Sequence, residues 1–301
     1  MHDNVVVVGI DGSEPSYAAL EWALNQSKER GARLHLVCAF ELPTYATASV
    51  SPIPQDSGQY LRDAAEGMLS KAVEMVDGHG VEVTSALEFG DPTEILTELS
   101  KKAALVVIGG RSTRNKFSDR LLRTASSAVP AYAYCPTVVV PFHHERKFQP
   151  IEHIVVGVDG SEHGRRALQR AVWEADRWGA RLTVLSAIPI AYNPGMNAVV
   201  SDEDILADAE KEIRAEIDSV LEGRDVKINV HAQRGNPSYV LPEFSKMVDL
   251  VIVGTRGRGG IAGLLLGSTS QMVLGQAECP VMVVPKKVRD GDDVGPSKRA
   301  E

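Results

Sequence analysis

Val5-Val6-Val7-Val8-Gly9-Ile10-Asp11-Gly12-Ser13 recurs 148 residues later as His153-Ile154-Val155-Val156-Gly157-Val158-Asp159-Gly160-Ser161. Each copy is a short β-branched run followed by an Asp-Gly-Ser turn. A strand that reads apolar on both faces belongs in a buried parallel sheet. Asp and Gly suit a tight turn, and Ser suits the N-cap of a following helix. The repeat does not stop there. Gly31-Ala32-Arg33-Leu34 returns as Gly179-Ala180-Arg181-Leu182, and Gly90-Asp91-Pro92 as Gly235-Asn236-Pro237. Val107-Ile108 returns as Val251-Ile252 and Cys135-Pro136 as Cys279-Pro280, by then offset by 144. Five landmarks in one order, at so long a period, indicate two whole domains rather than a solenoid. The expected division is 1–142 and 151–286, joined by a polar linker and followed by a disordered tail, 287–301.

The second copy shows the elements most cleanly. Strands are expected at Ile154–Val158, Leu182–Ile188, Lys227–Ala232, Leu250–Val253 and Val281–Val284. A helix should run from Ser161 to about Trp178 with Gly179 as its C-cap, and another from Asp202 to about Glu222. Asn236-Pro237 caps and starts a third. Strand–helix alternation of this kind gives a parallel sheet with helices on both faces. The fold class is α/β, as two tandem five-stranded parallel sheets. Ligands of such sheets bind beyond the carboxyl ends of the strands, where strand order reverses. The loops after the first and fourth strands therefore matter most.

Composition narrows the function. The net charge is −8, with 14 Lys+Arg against 18 Asp+Glu before residue 150 and 18 against 22 after it. Neither half is basic, so sequence-independent nucleic-acid binding lacks electrostatic support. No apolar run has membrane-spanning length, and no signal-peptide pattern opens the chain. Cys38, Cys135 and Cys279 read as small core residues, and their sparse, odd count fits a reducing cytoplasm. His143-His144-Glu145 reads as solvated linker, and Trp22, Trp173 and Trp178 as core or interface residues.

After its fourth strand the second copy reads Gly254-Thr255-Arg256-Gly257, nine residues, then Gly267-Ser268. Glycines let backbone approach phosphate oxygens. Gly267-Ser268 opens a helix whose unpaired N–H groups and dipole favour an anion. The Ser268 hydroxyl can donate to a phosphate, and Arg256 and Arg258 add charge at the mouth. Asp159 stands at the first turn, placed to meet a ribose, to hold a metal through water, or simply to cap its turn. There is no Walker A sequence. Gly257-Arg258-Gly259-Gly260-Ile261-Ala262 scans as a dinucleotide fingerprint but follows the wrong strand.

On V-G-V-D-G-S, G-x2-G-x9-G-S and C-P-V-x-V-V, the chain resembles the universal stress protein family, as a tandem two-domain member of its ATP-binding branch. The resemblance implies a Rossmann-like, adenine nucleotide alpha-hydrolase-like fold and ATP as ligand, with Mg2+. It sets Gly254, Gly257, Gly267 and Ser268 at the phosphate and ribose, Asp159 at the strand-1 aspartate, and Ala187 where backbone meets adenine. It implies a regulatory role in stress or dormancy, with an unidentified protein partner. In the family the last strands pair domains, so a tandem chain is expected to form that pair internally and then dimerise.

The first copy departs from the pattern. At offset 144, Gly110, Thr113, Arg123 and Thr124 stand against Gly254, Gly257, Gly267 and Ser268, while Asp11 and Ala39 keep their places. One glycine of three survives, so weak or absent ATP binding is expected there. Arg111, Arg114, Lys116, Arg120 and Arg123 crowd the same loop and read as a solvated face or an anion trap. The rival to a binding protein is a slow ATP hydrolase or related nucleotide-using enzyme. It lacks an evident general base and water-positioning pair beside the loop.

Overall fold

The computed structural model describes residues 4–41, 57–112, 125–142, 150–189, 201–259 and 265–286. The first half runs β1 (Val5–Gly9), α1 (Glu14–Arg30), β2 (Arg33–Phe40), α2 (Ser57–Val76), β3 (Val83–Phe89), α3 (Pro92–Leu99), β4 (Leu105–Ser112), α4 (Ala125–Tyr132) and β5 (Thr137–Phe142). The second repeats it as β6 (His153–Gly157), α5 (Glu162–Trp178), β7 (Arg181–Ile188), α6 (Asp202–Val220), β8 (Ile228–Arg234), α7 (Pro237–Phe244), β9 (Leu250–Gly254), α8 (Ser268–Gln276) and β10 (Val281–Val284).

Local chemistry sets the matched boundaries. Ser13 and Ser161 accept backbone N–H bonds from Ser16 and Gly164, which satisfies donors that a helix start leaves unpaired. Gly31 and Gly179 end those helices in left-handed geometry, at φ 57° and 63°. Ser201 and Asp204 form a reciprocal capping box at α6. Asp91 and Asn236 each cap a helix whose next residue is proline.

The ten strands form one sheet, ordered β3-β2-β1-β4-β5-β10-β9-β6-β7-β8. Every neighbouring pair is parallel except β5 and β10, which meet antiparallel. The two five-stranded parallel sheets are thus joined edge to edge, which removes both last strands as exposed edges. At the seam Val138 faces Met282, flanked by Val139 with Val281 and Thr137 with Val283. Val138 and Met282 are themselves equivalent at offset 144, so a pseudo-twofold axis passes between them.

One face of the sheet carries α1, α2, α5 and α6 over a single core that runs through both halves. The other carries α3 and α4 over one cluster and α7 and α8 over another, with Leu274 packed against both. Helices α1 and α5 bury the same stripe. Ser16, Ala19, Leu20, Ala23, Leu24, Gln26 and Ser27 match Gly164, Ala167, Leu168, Ala171, Val172, Glu174 and Ala175 at offset 148. The polar pair in that stripe, Gln26 and Glu174, lies at the join between the halves. Arg30 Nη2 donates to both Glu174 oxygens at 2.6 and 2.7 Å, and Arg170 Nη2 lies 2.7 Å from Oε1 as an ion pair. Arg30 also donates to the Gln26 side-chain carbonyl.

No helix among the described residues is long and apolar enough to cross a membrane.

Candidate functional site

Strand order reverses beside β1 in the first half and β6 in the second, between β2 and β4 and between β7 and β9 respectively. Each reversal opens a crevice at the carboxyl ends of its strands. At the second reversal the structure brings Asp159, Arg256, Gly257, Arg258 and Gly267 together. Asp159 follows β6, and its Oδ1 accepts from Ser161 N at 3.1 Å and Ser161 Oγ at 2.6 Å. Its Oδ2 accepts the Arg258 amide at 2.6 Å, across 99 residues of chain. Asp159 therefore clasps the turn after β6 to the loop after β9. Three of about four carboxylate lone-pair positions are used within the chain, leaving one for a ligand.

The three loop glycines have different reasons to be glycine. A Cβ on Gly257 would run into the Asp159 carboxylate. A Cβ on Gly267 would lie 3.3 Å from Arg256 Cα, tight but at φ −74°, an ordinary conformation for any residue. A Cβ on Gly254 would come within 2.7 Å of the His163 carbonyl, on the backbone of α5. Gly109 in the first half is equally close to the Pro15 carbonyl carbon and Ser16 nitrogen, at 2.6 and 2.7 Å. Gly254 and Gly109 are thus demanded by strand–helix packing, whereas Gly257 and Gly267 belong to the second loop. Gly254→Ala and Gly109→Ala are each expected to cost about 2 kcal/mol by overpacking, read as a lower denaturation midpoint. Equal stability of either variant would show that α1 or α5 yields.

Gly267 precedes α8, and no side chain caps that helix start. Its own N–H donates to the Thr255 carbonyl at 2.7 Å, which folds the loop back on the end of β9. Ser268 is exposed at the helix start, and buried Ser270 donates to the Gly254 carbonyl at 2.7 Å. Arg256 is half-buried in the loop. Arg258 lays its guanidinium against Gly160, whose φ of +71° also excludes a side chain. Ala187 is the penultimate residue of β7, half-buried and paired with Gln233.

Ionisable groups that the loop pattern did not point to lie beside these loops. His163 follows the Ser161 cap; burial pulls its imidazole below the ordinary range, and Lys286 and Arg256 pull further. Lys286, just past β10, pairs with Glu162 at 3.0 Å. Glu216 on α6 is pushed up, chiefly by burial, with Asp159 adding to the rise and Arg165 and Arg258 opposing it. Only the fold brings β10, α5 and α6 to one crevice, so no local spacing announces these residues.

The first crevice is built differently. Val106 sits opposite Val7 as Val251 sits opposite Val155, so the offset at β4 is 145. Gly109, not Gly110, therefore stands in the place of Gly254. The added residue lies beyond β4, within the loop, and a Gly-Gly pair hides the slip from sequence alignment. Gly110 matches Thr255 instead. Where β9 stops at Gly254, β4 continues through an irregularity to pair Ser112 with Phe142. Asp11 accepts from Ser13 N and Oγ at 3.0 and 2.5 Å. The Met68 side chain lies over Gly12, where the second half has Arg258 over Gly160. Ala39 pairs with Glu88 on β3. Thr113, Arg114, Lys116, Arg120, Arg123 and Thr124 lie outside the described residues, as do His143, His144 and Glu145.

Known proteins share this architecture. The model of the "Universal stress protein family" matches residues 4–141 and again 150–285. A universal stress protein of Mycobacterium tuberculosis strain CDC 1551 is 30% identical, over 92% of this chain and 94% of its own. One from strain H37Rv is 32% identical, over 92% and 96%. The crystal structure of a universal stress protein from Archaeoglobus fulgidus superposes with a TM-score of 0.71 at 20% identity, covering 94% of this chain and 97% of that one. The chain belongs to the universal stress protein family, with two family domains in tandem.

Proposed function

We propose that the second half binds ATP and that the first does not, making the chain a regulatory nucleotide-binding protein with one site. The observation that carries this reading is the loop between β9 and α8. Gly257 is packed against Asp159, Gly267 leaves the α8 start without a side-chain cap, and the positive charges of Arg256 and Lys286 gather nearby. Unpaired helix N–H groups, a glycine-lined approach and positive charge are what a polyphosphate requires. Gly257, Gly267, Ser268 and Arg256 would hold the phosphates, the remaining position on Asp159 the ribose, and the backbone at Ala187 the adenine. No group of three metal-ligating side chains is present among the described residues. Mg2+ would enter bound to the phosphates. In the first half β4 continues past Gly109 to pair Ser112 with Phe142, and Met68 in place of Arg258 lies over the first turn, so neither that loop geometry nor that charge is repeated there.

Family membership supports a role in stress or dormancy physiology, with the loop's conformation read in the cytoplasm by a protein partner or by homodimerisation. Calorimetric titration of the full chain with Mg-ATP is expected to give one site per chain. Two sites would place a working site in the first half, and no heat of binding would defeat the ATP reading.

A further inference from the structure

The join between the halves is not symmetric in its chemistry. Offset 148 makes Gln26 equivalent to Glu174, Arg30 to Trp178 and Trp22 to Arg170. Across the pseudo-twofold axis, the Arg30 position of one half meets the Gln26/Glu174 position of the other. The side chains of Arg30 and Glu174 are only 4% and 2% exposed, so neither can turn to water for a partner. A buried guanidinium or carboxylate without its counter-charge is strongly unfavourable.

We propose that this buried cluster makes the seam selective for unlike halves, so that a first half closes on a second half and not on a second copy of itself. Two first halves paired through β5 would set each Arg30 against a neutral Gln26, leaving two guanidiniums buried without a carboxylate. Two second halves paired through β10 would set each Glu174 against Trp178, deprive it of Arg30, and press Met282 against Met282 at the axis. The unlike pairing alone gives Glu174 both Arg30 and Arg170. The strands themselves would tolerate like pairing of first halves, since Val138 against Val138 is small and apolar. Selection therefore rests on the helices. An edge that can pair with any similar edge is an association hazard, and a buried charge at one register is a known way of choosing partners. The partner this surface fits is the unlike half, from the same chain or exchanged from a second copy.

Disulfide trapping in the full chain tests this, with linked peptides identified by mass spectrometry. Val138→Cys with Met282→Cys should close an unlike-seam bridge. Val138→Cys alone should give little 138–138 linkage between chains while Arg30 is present. Arg30→Glu sets a carboxylate against Glu174 in the unlike seam and against Gln26 in the like one. It is expected to raise 138–138 linkage at least tenfold, and Arg30→Glu with Glu174→Arg to return it to the original level. If Arg30→Glu does not fold, Arg30→Gln supplies a milder removal of the charge, with the same direction expected. Equal 138–138 linkage with and without Arg30 would overturn the proposal, as would abundant linkage in the chain carrying only Val138→Cys. Nucleotide plays no part in the assay, so its outcome is independent of the ATP reading.

Discussion

Glu174→Gln is expected to lower the stability of the protein by about 3–5 kcal/mol at neutral pH, among the largest effects of any single replacement in this chain. The change is nearly isosteric, so packing is kept. What is lost is the one carboxylate that Arg30 and Arg170 share inside the join between the halves. Burial by itself would raise the Glu174 pKa, but the two guanidiniums outweigh it and hold the group at about 2. Taken from its ordinary value of 4.5, that displacement corresponds to about 3 kcal/mol at 1.36 kcal/mol per unit.

The sign fixes the pH window. A carboxyl whose folded pKa is depressed contributes stability fully above its unfolded value and loses it as pH falls through the folded one. The contribution is therefore intact at pH 7, begins to decline near pH 4.5 and is largely gone near pH 2. Urea unfolding of the two proteins should show midpoints well apart at pH 7 and converging below pH 4. A triple change of Arg30, Glu174 and Arg170 to methionine should cost much less than Glu174→Gln, because no charge is then left buried. Parallel midpoints at all pH values would mean that the cluster carries no net electrostatic stability.

Most of the fold was legible because its signals are local and appear twice. The Asp-Gly-Ser turns, the glycine C-caps after α1 and α5, and the Asn-Pro start of α7 each set a boundary through chemistry confined to a few residues. The strand repeat gave the sheet, and the glycine spacing gave the loop after β9 that packs against Asp159. Three features escaped for one reason: each depends on which distant elements meet. The register of β4 is set by its pairing with β1, so Gly109 rather than Gly110 takes the structural place. The Asp159 clasp uses a backbone amide at Arg258, which no side-chain pattern reports. Glu174 occupies a core position of α5, and its one sequence signal is a polar residue at the same place in both stripes, Gln26 and Glu174. Read alone, a glutamate on a charged helix suggests a solvated face. The neighbouring half turns it into the centre of a buried ion cluster.

Gly267→Glu is the replacement that most cleanly separates the nucleotide site from the fold. It is expected to lower affinity for Mg-ATP at least 100-fold, or about 3 kcal/mol, in calorimetric titration, with the melting temperature unchanged. Gly267 has φ −74° and ψ 157°, the extended geometry of an ordinary helix N-cap, so a side chain brings no backbone strain. The added Cβ meets Arg256 Cα at 3.3 Å, a contact relieved by a few tenths of an ångström in a loop. A carboxylate at the start of α8 is itself favourable to the helix dipole and holds the fold steady. It does so by placing negative charge where the phosphates would need the helix N–H groups. Gly257→Glu lacks this clarity, because its side chain would break the clasp between Asp159 and Arg258 and disturb loop and ligand together. Undiminished ATP binding by a folded Gly267→Glu protein would remove the α8 start from the site. An unchanged melting temperature with binding lost would identify that helix start as the place where the polyphosphate is held.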